Sequence, residues 1–210
     1  MKKYDLYLFD FDGTLIDSMP ALEYVFSYSY NKVGIKFNKD DTVLYSRIPL
    51  IDGYERLNGD PSKWQEFVDI IEDSLDHEES INANSVYPET YKFITHLREQ
   101  HLNAAVVTSN KDSHVKDVLH KMNIPLDTFK LYLGSGQCRL VKPNPAPILM
   151  AIDLLNYKGD YKNIVYVGDA INDTLAANNA GVDAVLIDRI DAFPDSDKYI
   201  RVHSLMDLFK

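Results

Sequence analysis

Residues 4–14 read Tyr-Asp-Leu-Tyr-Leu-Phe-Asp-Phe-Asp-Gly-Thr, and this stretch is the best guide to the fold. Its first six residues are rich in aromatic and branched side chains, whereas residues 10–13 have the composition of a turn. A short apolar run that stops at turn residues predicts a strand that ends in a loop. The segment is therefore predicted to be a buried strand that carries Asp10 and Asp12 at its carboxyl end.

Similar apolar runs recur along the chain and alternate with segments of helical length. The runs occupy residues 104–107, 164–167 and 184–187, with a shorter candidate at 131–133. Segments with apolar side chains in helical phase lie at residues 89–100, 113–122 and 146–155. Near-continuous apolar strands are typical of parallel sheets covered on both faces. The alternation predicts an α/β fold with a doubly wound, mostly parallel sheet, which binds ligands outside the carboxyl ends of its strands.

The stretch from Asp17 to about residue 85 breaks this alternation with successive amphipathic segments. Pro20 fits the first turn of a helix that Asp17 or Ser18 could cap, and Asp60 precedes a second helical pattern. We therefore predict a small helical domain at residues 17–86. It would be inserted after the first strand of an α/β core domain formed by residues 1–16 and 87–210.

Composition excludes several classes of protein. Twenty-two basic residues against 32 acidic ones give a net charge of −10, which argues against a broad basic face for nucleic acid. No apolar run approaches the roughly 20 residues of a membrane-spanning helix. Asp5, Asp10 and Asp12 interrupt the apolar stretch that a signal peptide needs, so a cytoplasmic location is expected. A single cysteine, Cys138, excludes an internal disulfide and argues against a cysteine-based zinc site.

The first polar cluster is Asp10-Phe11-Asp12-Gly13-Thr14. Side chains of a strand alternate with a period of two, so Asp10 and Asp12 are expected to leave the chain on roughly the same side. Taken alone, the motif also fits a turn or the start of a calcium-binding loop. The twelfth position of such a loop would be Ala21 instead of a glutamate, which argues against calcium.

A second acidic cluster, Gly168-Asp169-Ala170-Ile171-Asn172-Asp173, follows the run at 164–167. One interpretation is a binding site at the end of a strand. The alternative is that Asp169 caps the next helix and Asp173 favours its dipole. Both interpretations stay open on this motif alone.

Two further strand ends carry polar groups. Thr108, Ser109 and Asn110 follow the run at 104–107 and could offer donors to an anion. Lys142 precedes a Pro-Asn-Pro turn and could place a cation there, although a lone lysine is more commonly a solvated surface residue.

Along the chain, the four motifs follow in the order Asp10-x-Asp12-Gly13-Thr14, Thr108, Lys142-Pro143 and Gly168-Asp169-x-x-x-Asp173. In this order they resemble the haloacid dehalogenase-like hydrolase superfamily over nearly the whole chain. The helical insert after the first motif is similar to that of the phosphoglycolate phosphatase and β-phosphoglucomutase branch. The resemblance implies that Asp10 is a nucleophile that forms an aspartyl-phosphate, and that Asp12 is the general acid and then the general base. It also implies that Thr108 and Lys142 hold the phosphoryl oxygens.

A cation is expected because several carboxylates would repel a phosphate dianion in a partly dehydrated cleft. Oxygen ligands of this kind suit Mg²⁺ better than zinc. The resemblance implies that Asp10 and Asp169 supply side-chain ligands and Asp12 its main-chain carbonyl. Asp173 would support the metal site from close by.

The helical insert resembles a cap domain that contacts the leaving group. Arg47 and the tyrosines Tyr24, Tyr28 and Tyr45 are candidates for those contacts, although such side chains on helices more often pack or face solvent. Arg47 joins Thr108, Ser109 and Asn110 as a predicted substrate-binding residue. The expected partner is a small phosphorylated metabolite, with neither nucleic acid nor membrane, and the expected state is a monomer or homodimer.

The sequence thus predicts a Mg²⁺-dependent phosphatase that hydrolyses a small phosphate monoester. A phosphosugar mutase is the first alternative, because it shares the core and this type of cap. The second alternative is a regulatory protein that binds a phosphorylated ligand without turnover. The presence of every expected catalytic residue type favours the enzyme over the binding protein.

Overall fold

The computed structural model describes residues 1–46, 48–138 and 140–210. Its strands are β1 (Leu6–Phe9), β2 (Ile16–Asp17), β3 (Ser85–Val86), β4 (Ala104–Val107), β5 (Tyr132–Leu133), β6 (Ile164–Gly168), β7 (Asp183–Ile187) and β8 (Ile200–Val202). Its helices are α1 (Met19–Lys32), α2 (Thr42–Tyr45), α3 (Leu50–Arg56), α4 (Trp64–Leu75), α5 (Glu78–Ala83), α6 (Thr90–Glu99), α7 (Asp112–Lys121), α8 (Ala146–Leu154) and α9 (Ile171–Ala180). The chain forms two compact units, one of Met1–Ile16 with Val86–Lys210 and one of Asp17–Ser85.

The first unit is built on a parallel sheet. Among the described residues, six strands pair in the order β5-β4-β1-β6-β7-β8, and each neighbouring pair is parallel. The predicted α/β fold with a doubly wound sheet is confirmed. Strand β8 was missed by the sequence analysis because Ile200 is exposed and Arg201 half-buried, so no apolar run marks it.

The strand order places a topological switch point between β1 and β6. The chain leaves β1 toward β4 on one side, whereas it leaves β6 toward β7 on the other. Connections that diverge in this way open a crevice at the carboxyl ends of the two strands. The residues that follow β1 and β6 therefore lie at the edge where a doubly wound sheet binds its ligands.

Side chains of β1 alternate between the two faces of the sheet. Leu6 and Leu8 belong to an apolar cluster that includes residues of α8 and α9. Phe9 packs on the other face, where its ring centroid lies 5.3 Å from that of Phe93 and 6.3 Å from that of Phe129. Both faces are thus covered, which explains why β1 reads as a continuous apolar run.

The second unit is helical and has an aromatic core. The ring of Tyr30 lies 4.7 Å from that of Phe67 and 5.0 Å from that of Phe37. A helical segment begins after Asp60, whose Oδ1 accepts a hydrogen bond from the backbone amide of Ser62 at 2.9 Å. Asp17 Oδ1 accepts one from the amide of Met19 at 3.2 Å, at the start of α1.

None of the helices in residues 1–46, 48–138 and 140–210 combines the length and the apolar character that a membrane span requires.

Two Leu→Ala substitutions test how far burial in the sheet controls stability. Leu8 is 0% exposed, whereas Leu154 at the end of α8 is 53% exposed. We expect Leu8→Ala to lower the free energy of unfolding by about 3 kcal/mol, since it leaves a cavity in the core. The matched control Leu154→Ala should stay within about 1 kcal/mol. Urea denaturation followed by circular dichroism measures both, and equal losses would contradict this account of the core.

Candidate active site

Three carboxylates converge at the switch point of the sheet. Asp10 directly follows β1, Asp169 directly follows β6, and Asp173 lies in the first turn of α9. Each contributes a carboxylate oxygen to a group in which all such oxygens lie within 4.8 Å of one another. Asp10 and Asp173 are buried and Asp169 is half-buried. An all-oxygen cluster of this kind is compatible with a divalent metal ion.

Lys142 provides a positive charge inside this cluster. Its Nζ lies 2.9 Å from Asp10 Oδ1 and 2.6 Å from Asp173 Oδ1, and its side chain is only 8% exposed. The alternative of a solvated surface lysine is therefore wrong for Lys142. The lysine is instead fixed between two of the three acids.

Tyr166 orients Lys142 and was missed by the sequence analysis. The tyrosine hydroxyl donates to the carbonyl of Val107 at 2.8 Å and accepts a hydrogen bond from Lys142 Nζ at 3.1 Å. Tyr166 was counted as an apolar residue of the strand at 164–167. Its hydroxyl, which needs a partner when buried, was the signal that could have suggested a polar role.

One ammonium cannot compensate three carboxylates, and the pKa values reflect this. Burial raises the pKa of Asp10 to about 8, assisted by Asp173 and Asp169 and opposed by Lys142. Burial and the charge of Asp173 raise the pKa of Asp169 to about 6. Burial alone would lower the pKa of Lys142, but Asp10 and Asp173 raise it well above its ordinary value, so this side chain stays protonated. The cluster therefore favours an additional positive charge.

Two glycines allow the close approach of these acids. Gly13 has a φ of +71°, and a Cβ there would lie 2.2 Å from Asp169 Oδ2. A Cβ on Gly168 would lie 2.3 Å from the Asp173 carboxyl carbon. Either side chain would displace a carboxyl group, so both positions require glycine.

Asp173 also stabilises the start of α9. Its Oδ2 accepts a hydrogen bond from the amide of Ala170 at 3.0 Å. Ala170 occupies the N-cap position of α9, so the alternative in which Asp169 caps this helix is wrong. Asp169 is left to interact with the cluster and with Thr14, whose hydroxyl donates to Asp169 Oδ1 at 3.4 Å.

Asp12 lies near the cluster but has a different partner. Asn110 Nδ2 donates to Asp12 Oδ2 at 3.3 Å. Within the described part of the chain, the three-acid cluster contains the carboxylates of Asp10, Asp169 and Asp173 without that of Asp12. The predicted substrate-binding residue Asn110 thus contacts the carboxylate to which the resemblance assigns proton transfer.

Thr108 and Ser109 occupy the loop between β4 and α7. Thr108 is buried, and its hydroxyl accepts a hydrogen bond from the backbone N–H of Asn110 at 3.1 Å. Thr108, Ser109 and Lys142 line one small cavity of about 10 Å³. The structure therefore brings these three predicted residues together, and Lys142 among them also contacts Asp10 and Asp173.

The tyrosines predicted to contact the leaving group pack against other side chains of the helical unit. Tyr45 packs edge-on against Tyr30 at 6.3 Å between ring centroids. Tyr24 stacks on Tyr28 at 5.8 Å, and its hydroxyl is hydrogen-bonded to His77 Nδ1 at 2.9 Å. The remaining candidate, Arg47, lies outside the described residues.

The arrangement combines a buried carboxylate, a fixed ammonium, a hydroxyl and a second carboxylate with an amide partner. The Lys142 ammonium can attract an anionic group toward the carboxylate of Asp10, and the Thr108 hydroxyl, which lines a cavity with Lys142, can donate a hydrogen bond to such a group. The carboxylate of Asp12 can exchange a proton with a group bound there.

Curated relatives and solved structures resemble this chain over most of its length. It is 30% identical over 185 residues to a phosphoglycolate phosphatase from Neisseria meningitidis, covering 82% of this chain and 75% of that protein. It is 22% identical over 180 residues to a pyrophosphatase PpaX from Oceanobacillus iheyensis, covering 86% and 81%. The solved structure of a haloacid dehalogenase-like family protein from Streptococcus pneumoniae matches the fold with a TM-score of 0.80, at 19% identity and coverage of 100% and 98%.

A family model described as haloacid dehalogenase-like hydrolase matches residues 7–187. This range contains both acidic clusters, the Thr108 loop and Lys142. The match confirms the predicted resemblance and the prediction of an enzyme of the hydrolase class. The chain belongs to the haloacid dehalogenase-like hydrolase family.

Proposed function

We propose that this chain is a magnesium-dependent phosphatase that hydrolyses a small phosphate monoester through an aspartyl-phosphate on Asp10. The observation that carries the proposal is the position of Lys142, buried between Asp10 and Asp173. A fixed ammonium beside a carboxylate suits an enzyme that must bring a phosphate dianion to an acidic centre. The names of the curated relatives, which include phosphoglycolate phosphatase and pyrophosphatase, support the same class.

In the proposed reaction, a carboxylate oxygen of Asp10 attacks phosphorus and the bond from phosphorus to the leaving oxygen breaks. Asp12 donates its proton to that oxygen and becomes a carboxylate. A water molecule then attacks the aspartyl-phosphate and gives a proton to Asp12. The bond between phosphorus and Asp10 breaks, which releases inorganic phosphate and restores both acids.

The remaining residues of the site bind the phosphoryl group or orient the reacting side chains. Lys142 and Thr108 hold the phosphoryl oxygens, and Ser109 lies beside them in the same cavity. Tyr166 keeps the Lys142 ammonium directed toward the acids. Asn110 donates to the Asp12 carboxylate and fixes its orientation for proton transfer.

The donor set fits a magnesium ion, because the clustered side-chain atoms are all carboxylate oxygens. Asp10 and Asp169 would supply side-chain oxygens, Asp12 its main-chain carbonyl, and Asp173 would support the site. When bound, the ion would offset the negative charge of the substrate phosphate and of the reaction's transition state.

We consider two kinds of leaving group for the substrate, an alkoxide and a phosphate. An alkoxide from a phosphate monoester is a strong base and needs a proton as it departs, whereas phosphate released from pyrophosphate does not. An Asp12 carboxylic acid, oriented by the Asn110 donor on its Oδ2, can supply that proton, so we favour a monoester such as a phosphorylated hydroxy acid. Pyrophosphate is the second candidate, because one relative is named as a pyrophosphatase.

We further propose that the helical unit Asp17–Ser85 acts as the cap that selects the leaving group. Its Tyr24 and Tyr28 are half-buried and form an aromatic pair, which could contact an organic group. Arg47 stays a prediction for the same role.

Replacement of the proposed nucleophile should abolish turnover. We expect Asp10→Asn to lower kcat at least about 1000-fold on every substrate, since the amide cannot form the covalent intermediate. The exposed Asp153→Asn on α8 is the matched control and should keep wild-type activity. Phosphate release from 2-phosphoglycolate, pyrophosphate and other small phosphate compounds measures the effect.

The same assay separates the alternatives. Isomerisation of a hexose 1-phosphate without phosphate release would favour a mutase and contradict the phosphatase. Binding of phosphate compounds without hydrolysis across the panel would favour a regulatory protein. Full activity of Asp10→Asn would refute the nucleophile assignment.

Loss of the proposed general acid should depend on the leaving group. We expect Asp12→Asn to slow release of the leaving group in a single turnover at least about 100-fold for alkyl phosphates and much less for p-nitrophenyl phosphate, because nitrophenolate departs without a proton. Slow breakdown of the intermediate should also leave a phosphoryl group on the peptide containing Asp10, detectable by mass spectrometry after acid quench. Equal slowing of leaving-group release for both classes of ester would argue against proton donation by Asp12.

Metal removal tests the proposed cofactor. Treatment with a chelator should abolish phosphate release, and added Mg²⁺ should restore it. We expect Asp169→Asn to raise the Mg²⁺ concentration for half-maximal activity about 10-fold or more, since one ligand charge is lost. Asp153→Asn serves again as the control. Unchanged activity after complete metal removal would overturn this part of the proposal.

A further inference from the structure

Arg189 lies just after β7 and has no role in the proposed chemistry, yet it binds the loop that carries Asp12. Its Nη1 donates to the carbonyl of Gly13 at 2.8 Å, and its Nη2 donates to the carbonyl of Thr14 at 2.9 Å. The side chain is only 18% exposed. One guanidinium thus holds two consecutive carbonyls of the loop between β1 and β2.

The guanidinium is itself held by a carboxylate and a ring. Arg189 Nη2 lies 3.0 Å from Glu89 Oε1, and the Glu89 side chain is 16% exposed. The Tyr87 ring lies under the guanidinium, with its centroid 3.5 Å from Arg189 Cζ. Because both charges are largely shielded from water, this ion pair is less screened than a surface pair. Glu89 and Tyr87 therefore fix the orientation of the guanidinium that binds the loop.

The next carbonyl of the loop is held in the same way. The hydroxyl of Thr90, which is fully buried, donates to the carbonyl of Leu15 at 3.1 Å. The carbonyls of residues 13, 14 and 15 thus each accept a hydrogen bond from a distant side chain. Together with the turn hydrogen bonds inside the loop, these donors fix the backbone path.

The backbone path matters because this loop joins the proposed nucleophile to the proposed acid. Asp10 and Asp12 lie at its start, and Gly13 packs directly against Asp169. A change in the position of Gly13 or Thr14 would move Asp12 relative to the carboxylate cluster.

We infer that Arg189 is a positioning residue that fixes the loop between Asp10 and Thr14 in its reactive geometry. This inference rests on the proposed phosphatase function. Arginine suits the role because its planar fork can donate to two carbonyls and a carboxylate at once, whereas a lysine ammonium offers no such planar geometry.

Arg201 provides a matched control on the neighbouring strand β8. It is also a partly buried arginine, 23% exposed, and it pairs with Asp188, Asp191 and Asp195. Arg201→Lys keeps a positive charge beside these three acids, so Arg189 and the loop between Asp10 and Thr14 should stay in place.

Steady-state kinetics of Arg189→Ala, Arg189→Lys and Arg201→Lys tests the inference. We expect Arg189→Ala to lower kcat about 100-fold with a much smaller change in KM, because misplacement of the reacting groups affects the chemical step. Arg189→Lys should recover only part of this loss, and Arg201→Lys should stay close to wild type. Millimolar guanidinium should restore activity to Arg189→Ala, whereas equal concentrations of sodium chloride should not. An unchanged kcat in Arg189→Ala, or no response to guanidinium, would overturn the positioning role.

Hydrogen exchange gives a readout that does not depend on activity. The amides of Thr14, Leu15 and Ile16 all donate to the carbonyl of Phe11, at 3.3, 2.9 and 3.2 Å. In Arg189→Lys their exchange should accelerate about 10-fold or more, since the loop opens more often, while amides of β6 keep their wild-type rates. Unchanged exchange at residues 14–16 would refute the inference even if the variant lost activity. If the wild-type protein hydrolysed no phosphate compound, the proposed function would fail while this measurement still decided whether Arg189 fixes the loop.

Discussion

The site depends on the placement of one buried ammonium among three carboxylates. Lys142 lies within ion-pair distance of Asp10 and Asp173, and Tyr166 accepts one of its hydrogen bonds. Breaking such a buried pair by removing one partner leaves an uncompensated charge, which costs far more than a surface pair contributes. The excess of acid over base also means that the cluster is electrostatically incomplete by itself. A second cation, or a bound proton, is required for all three acids to stay close.

The parallel sheet makes this crowding possible. Strands β1 and β6 are adjacent and parallel, so the residues after them emerge at the same edge and at similar height. Their side chains are buried on both faces of the sheet, which prevents the strand ends from moving apart to relieve the repulsion. Gly13 and Gly168 then remove the Cβ atoms that would keep the carboxyl groups at a distance. The stability of the core thus sustains a local arrangement that is unfavourable on its own.

Sequence patterns predicted the parts of this structure that follow from continuous burial. Strands β4, β6 and β7 were evident because nearly all their side chains are apolar, whereas β8 carries Arg201 and an exposed Ile200. The burial of Lys142 could not be read from its neighbours, since it results from contacts with Asp10 and Asp173 far away in the chain. Only the order of the motifs pointed to it. The short helices α2 and α3 were not placed individually within the predicted helical domain, because they span too few turns to show a period.

Contacts with backbone carbonyls are the features that sequence patterns reveal least. Arg189 binds the carbonyls of Gly13 and Thr14. Every residue has a backbone carbonyl, so the residue types at 13 and 14 do not indicate which side chain binds there. Charged side chains at the strand ends determine which groups meet in the site. The shape of the loop after β1 depends both on its own turn hydrogen bonds and on side-chain donors from elsewhere in the fold. The positions of the groups in the site therefore depend on two kinds of residue. The acids can be recognised as sequence motifs, whereas distant donors such as Arg189 are recognised only in the three-dimensional structure.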